Sequence, residues 1–245
     1  MTMIKKVSIL FLLLGVGSNL LYAITPEEII KKADVWRAPS KSFVMDMRII
    51  SYKDGKSLQE IRVKGYVKDI DKVMLRFYYP KSWNGRKILM LKKDMWIIFP
   101  NTHRPIRITP SQRLMGEIAT GDVARVSFSK DYTATIKGVE LVDSVKCYLL
   151  ELLAKNNSIT YNKVLYWVRN DNFQPLKAEF FALSGKKLKV AYYSEIKKLG
   201  GRNRVSKITI HDAIKKNCYT VLEYLNMKEK YIPNRYFNLV YLQRM

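Results

Sequence analysis

Hydrophobic and polar positions change their spacing twice along this chain. Between Thr25 and Val35 the apolar residues Ile29, Ile30 and Ala33 recur at helical spacing. Thr25 is a good N-cap, Pro26 suits the first helical position, and Glu28 completes a capping box. The pattern predicts a helix over residues 26–35, ended before Pro39. From Phe43 the period falls to two. Phe43, Met45, Met47 and Ile49 alternate with Val44, Asp46, Arg48 and Ile50. Asp54-Gly55 supplies a hairpin turn, and the return strand carries Ile61, Val63, Gly65 and Val67 on one face. Arg62, Lys64, Tyr66 and Lys68 fall on the other face. Val73–Tyr79, Lys87–Leu91 and Met95–Phe99 continue the series, with Val73, Leu75, Phe77 and Tyr79 on the apolar face. Close, even spacing with turn residues between strands indicates an antiparallel meander.

The alternation stops between Pro100 and Gly121. Pro105 and Pro110 break it, and Leu114, Met115 and Ile118 return at helical spacing, so a loop with one or two short helices is expected. A connection this long inside a sheet protein usually covers something, and residues 105–121 are expected to form a helical lid. Strands resume at 124–127, 133–136, 145–154, 163–169, 176–182, 188–193, 204–210 and 219–225, followed by a helical turn reaching Leu242. The expectation is a mainly β domain over 24–245, with about ten or eleven antiparallel strands. A sheet that long curls. The inward face after residue 145 is not legible, because runs such as Val145–Leu153 are apolar on both sides.

The first residues change the compartment. Lys5 and Lys6 precede an apolar run from Val7 to Leu14, and Ala23 closes a small-residue end. This arrangement predicts a cleaved secretory signal over 1–23. The apolar run is shorter than the roughly 20 residues of a spanning helix. The expected product is a soluble, monomeric periplasmic protein. The whole chain has a formal charge of +23, and the product without Lys5 and Lys6 has +21, which points to an anionic membrane surface rather than nucleic acid. A lysine-rich solvated surface accounts for the charge equally well. Cys147 and Cys218 lie in apolar strands, and a disulfide and buried thiols are both compatible with the sequence.

Catalytic readings find little support. The only histidines are His103 and His211. His211-Asp212 has no G-x-S-x-G serine elbow to serve. Two separated histidines and two separated cysteines, without CxxC or HExxH, make no metal motif. No enzyme, cofactor or metal is expected.

Several stretches resemble the periplasmic outer-membrane lipoprotein-sorting proteins related to the lipoprotein carrier LolA. They include Met95–Pro100 with Arg104–Ile108, Gly121-Asp122, Asp131-Tyr132, Cys147–Leu152, and Tyr161–Val164 leading to Trp167-Val168. Pro175–Phe180, Ser184–Lys189, Asp212, Thr220, Ile232-Pro233, Phe237 and Leu242 follow in order, so the resemblance covers nearly all of 24–245. Asn238 stands where the family commonly has threonine. The resemblance implies a strongly curved antiparallel sheet, a half-open barrel around short helices, enclosing an apolar cavity for acyl chains. It also implies an inner-membrane transporter as donor and an outer-membrane acceptor.

On that reading the cavity is lined by Phe43, Met45, Met47, Ile49, Ile61, Val63, Val67, Leu75, Phe77, Met90 and Met95, with Leu114, Met115 and Ile118 contributed by the lid. Met74 belongs to the same methionine-rich region. Methionine re-packs readily around variable apolar ligands, although any one of these residues equally fits an ordinary core. Arg104 and Arg107 flank the lid as candidate headgroup or lid contacts. Met47→Asp is expected to abolish cargo binding and leave the protein secreted. The competing classes are an outer-membrane β-barrel, an accessory subunit of a hydrophobic-cargo exporter, and a lipid-modifying hydrolase. Arg62, Lys64 and Lys68 on the outward face argue against the barrel.

Overall fold

The capping box forms as the sequence dictates. Thr25 and Glu28 exchange backbone-to-side-chain hydrogen bonds of 3.0 and 3.2 Å and start helix α1, Pro26–Val35. The computed structural model describes residues 24–39, 42–102, 104–125 and 127–245, so the expected signal segment and His103 lie outside the described residues.

A first wing of strands follows: β1 (Phe43–Lys53), β2 (Lys56–Lys68), β3 (Lys72–Tyr79), β4 (Lys87–Leu91), β5 (Asp94–Ile98) and β6 (Pro105–Ile108). A small hairpin, β7 (Arg113–Met115) and β8 (Ile118–Ala119), leads to short helices α2 (Thr120–Ala124) and α3 (Phe128–Asp131). The second wing holds β9 (Tyr132–Val142), β10 (Val145–Ala154), β11 (Lys163–Arg169), β12 (Pro175–Phe181), β13 (Lys187–Leu199), β14 (Arg202–Asp212) and β15 (Cys218–Glu229). A 3₁₀ turn, Asn234–Phe237, and helix α4, Leu239–Arg244, end the fold.

The wings form one antiparallel sheet of 13 strands in the order β6-β5-β4-β3-β2-β1-β15-β14-β13-β12-β11-β10-β9. β1 and β15 join them. β6 and β9 end the sheet and do not pair with each other, so it stays open. Register follows the alternation: Met47 faces Val63 and Ile49 faces Ile61 across β1–β2, while Val63 faces Phe77 across β2–β3. Gly65 lies opposite Met45, and a Cβ there would meet the Met45 side chain at 2.7 Å. The glycine is what lets that methionine lie flat against the sheet.

The concave face buries Ile29, Ile30 and Ala33 of α1 in one large core with both wings. Arg204 is buried, donates through Nε to the Leu199 carbonyl at 2.9 Å and through Nη1 to the Val35 carbonyl, and so caps the last turn of α1. On the convex side a second cluster gathers Met74, Leu89, Ile98, Ile232, Phe237 and Leu242 beneath the C-terminal segment. Met74 therefore faces away from the interior. It sits between inward-facing Val73 and Leu75, so period two decides its side.

The middle segment departs from the helical lid expected over 105–121. Pro105–Ile108 extends the sheet, and Arg113–Ala119 is a hairpin. Gly116 explains the turn. Its φ is +51°, and a Cβ would lie 2.4 Å from Thr220 Oγ1, so only glycine fits there. Met115 and Ile118 consequently meet as hairpin partners rather than as one turn of helix. The helices come at 120–124 and 128–131, on either side of the stretch 124–127 expected as a strand. Asp34 supplies the reason: its carboxylate accepts from the Phe128 and Ser129 N–H groups, both at 2.9 Å, and anchors the start of α3. A contact 94 residues away in sequence leaves no local signal.

Candidate functional site

The first wing packs its interior face closely. Phe43, Met45, Met47, Ile49, Ile61, Val63, Val67, Leu75, Phe77, Met90 and Met95 are all buried in the main core, as are Met115 and Ile118, with Leu114 half-buried against it. The residues expected on one face of β1–β3 share it except Tyr79, which is exposed opposite Arg62 beyond a shift in the β2–β3 register. Among them, Met90 and Ile118 also border surface concavities. Arg104 and Arg107 are exposed at the sheet edge, and Arg107 pairs with Asp94 on neighbouring β5. That pairing ties two strands together rather than tying the hairpin to the sheet.

Where the α2–α3 segment meets the sheet, a cleft of about 660 Å³ opens. Ile70, Met90, Leu91 and Trp96 give it an apolar floor from the first wing. Lys72, Lys92, Lys93 and Lys130 surround it, and Lys130 forms an ion pair with Asp71 across it. Its volume falls in the range of about 300–1,000 Å³ usual for ligand sites.

Behind the cleft lies a small internal chamber of about 40 Å³. Arg125 and Asp131 border both spaces. They are joined by two hydrogen bonds of 3.0 and 3.1 Å, and Arg125 also donates to the Ser158 carbonyl at 3.0 Å. This ion pair is the partition between cleft and chamber. Burial raises the Asp131 carboxyl above its ordinary range, against the opposing pull of Arg125.

The chamber wall mixes apolar and polar groups. Phe180, Ala191, Ile208 and Ile210 give the apolar side; Arg37, Asp122, Thr160, Tyr161 and Tyr193 give the polar side. Asp122 accepts from the Ala119 N–H at 2.8 Å, from Lys189 Nζ at 2.9 Å and from the Tyr161 hydroxyl at 2.8 Å. Lys189 also donates to the Glu117 carbonyl at 2.6 Å, binding the hairpin to β13. Burial pushes Tyr161 well above the ordinary phenol value, and it holds Tyr193 up to about 12. These hydroxyls stay protonated, and work as donors rather than bases.

Arg37 and its tyrosine neighbours escaped the reading of the sequence. A signal was present. Arg37 continues the buried stripe of Ile30 and Ala33 at helical spacing, where a solvated arginine has no place. Tyr166, Tyr193 and Tyr224 likewise occupy inward positions on alternating strands, but the two-sided apolar pattern hid which face was inward. His211 packs between the rings of Tyr192 and Tyr219, and Asp212 accepts from the Ile214 and Lys215 N–H groups. Asp212 is thus a turn cap. Cys147 and Cys218 are free thiols, the first buried and the second half-buried. Among the described residues, no group of three or more acidic, histidine or cysteine side chains forms a metal cluster.

A family model described as an uncharacterised protein matches residues 69–244. Among solved structures, a LolA superfamily protein from Nitrosomonas europaea is 36% identical, with a TM-score of 0.83 over 88% of this chain and 98% of that chain. A domain from Vibrio parahaemolyticus, named for outer-membrane lipoprotein sorting, is 20% identical, with a TM-score of 0.75 over 89% and 98% of the two chains. A DUF1329 family protein from Desulfovibrio piger is 21% identical, with a TM-score of 0.74 over 89% and 97%. The latter two share the fold. No curated protein matches the chain.

Proposed function

This chain belongs to the LolA superfamily, and from that premise we propose that it is a periplasmic carrier for lipid or lipoprotein acyl chains. The observation that carries the proposal is a basic-rimmed, apolar-floored cleft and a smaller chamber that share the Arg125–Asp131 pair in their walls. Acyl chains need apolar surface rather than directional contacts, since each buried CH₂ contributes about 0.8 kcal/mol. The cleft floor and the methionine-rich wing offer that surface. Loading requires the α2–α3 segment to swing away, which separates Lys130 from Asp71 and Arg125 from the Ser158 carbonyl. Release then follows when an acceptor or a bilayer holds the chains more tightly.

The donor in this scheme is an inner-membrane transporter and the receiver an outer-membrane acceptor. The net positive charge favours docking at anionic bilayers, each nearby Lys or Arg contributing about 1 kcal/mol. The membrane-barrel alternative loses ground on two counts: the sheet is open, and its apolar face turns inward, while Arg48, Arg62 and Lys64 face outward. Native mass spectrometry of the purified protein, followed by extraction and identification of lipid, tests the carrier reading. Near-stoichiometric acylated cargo is the expected result. A protein that is empty and also binds no fluorescent fatty-acid probe ends it.

A further inference from the structure

The chamber contains a charge with too few partners. Arg37 is only 7% exposed, yet two of its guanidinium nitrogens, Nε and Nη1, are buried without a hydrogen-bond acceptor. Among the described residues its one ion-pair partner is Asp34, at 3.8 Å. Asp34 is already occupied by Ser127 Oγ at 2.8 Å and by the Phe128 and Ser129 N–H groups. The two carboxylates that line the chamber are also claimed, Asp131 by Arg125 and Asp122 by Lys189 and Tyr161. Arg37 instead lies over the Phe128 ring, 4.1 Å from its centre. Phe128 in turn contacts Tyr166, whose buried hydroxyl also has no partner.

Burying an arginine without acceptors costs free energy that packing does not return. A guanidinium left with free N–H groups beside a void is therefore a recognition element awaiting an acceptor. The void is small, which excludes a bulky headgroup and admits one compact oxyanion. The walls beyond it are apolar, Phe180, Ile208 and Ile210 among them. A charged end against Arg37 and a hydrocarbon end toward the cleft describe a single-chain amphiphile. Arginine binds carboxylates through short, charge-assisted hydrogen bonds, roughly twice as strong as neutral ones.

We propose that Arg37 anchors the carboxylate of a single-chain fatty acid in the chamber, with the tail leaving past Arg125–Asp131 into the cleft. The proposal rests on the carrier reading and adds to it a preference for acids over neutral lipids of the same length.

The test is calorimetric titration of the delipidated full-length protein with dodecanoate and with dodecanol. Wild type is expected to bind dodecanoate at least ten-fold more tightly. Arg37→Met is expected to lose that preference while keeping its affinity for dodecanol, and Arg37→Lys to keep part of it. Equal affinity of wild type for acid and alcohol overturns the anchor and leaves the carrier reading standing, the chamber then being a site for ordered water. Binding of neither ligand overturns both. Because the decisive comparison is made on wild type, a failure of Arg37→Met to fold does not blunt it.

Discussion

The two wings of the sheet share one curvature and one core but fill it differently. The first wing presents Phe43, Met45, Met47, Ile61, Val63 and Leu75, side chains without a hydrogen-bonding group, packed so closely that most are fully buried. The second presents Tyr132, Tyr161, Tyr166, Tyr193 and Tyr224, with Arg37 and Asp122 among them. Flexible apolar side chains can shift to fill every gap. Rigid aromatic rings carrying hydroxyls must also satisfy hydrogen bonds, and where they fail to do so they leave the chamber and its unpartnered atoms. A carrier needs both kinds of wall, one that gives way to a chain and one that holds a defined space for its end.

The sharpest contrast comes from a charge placed in the dry wing. Met47 is 0% exposed, with Val63 beside it and Phe77 one strand further on. An aspartate there has no donor to meet. Met47→Asp is expected to cost on the order of 4 kcal/mol or more, a large part of a domain's usual 5–15 kcal/mol or so. Urea denaturation should show it largely unfolded or close to it. The sequence suggested a folded, secreted protein with impaired binding. Close packing around Met47 makes instability the first consequence, and a variant with near-wild-type stability would show that this wing already has room.

A matched pair measures the same difference more gently. Ile61 is enclosed in the dry wing, whereas Ile210 borders the chamber. Large-to-small core substitutions cost more where the surroundings cannot collapse or fill. Ile61→Ala is expected to lose about 4 kcal/mol and Ile210→Ala about 2 kcal/mol, read from urea midpoints at unchanged m-value. Equal losses would mean that the chamber closes in solution.

What the sequence disclosed divides along the same line. Alternation located the inward face of β1–β3 as far as Phe77, because charged Asp46, Arg48, Arg62 and Lys64 marked the opposite side; it failed at Tyr79, where the β2–β3 register shifts. The capping box located α1, and Asp54-Gly55 the first hairpin. In the second wing Leu149 and Trp167 make the convex face apolar as well, so periodicity lost its reference. The chamber was invisible for a further reason. It is assembled from Arg37 just after α1, the α2–α3 segment, the loop before β11 and strands β9, β12, β13 and β14, and its polar contacts, such as Asp34 to Phe128 and Lys189 to Asp122, join residues far apart in sequence. Methionine's adaptability is a property of one residue and is legible in sequence, whereas a void is a property of several elements packed together.

The smallest expected effect concerns the partition itself. Burial raises the Asp131 carboxyl above its ordinary value of 3.8, with Asp34 and Asp71 adding to the rise and Arg125 opposing it. A carboxyl that binds its proton more readily when folded gives the folded state more protons than the unfolded one between the two values. Stability from this group is then complete below pH 3.8 and is lost as pH rises through the folded value. Glu60 and Glu179, whose carboxyls are lowered, act in the opposite direction, so the whole protein does not reveal the effect. The difference between wild type and Asp131→Asn does, because asparagine keeps the shape and cannot titrate. Across mildly acidic pH, the urea midpoint of wild type should decline relative to the variant as pH rises. A difference independent of pH would show Asp131 to be comfortably charged and the pair with Arg125 to be a firm strut. A declining difference marks a latch already strained by the burial of its acid, and such a latch opens at little cost when a chain arrives.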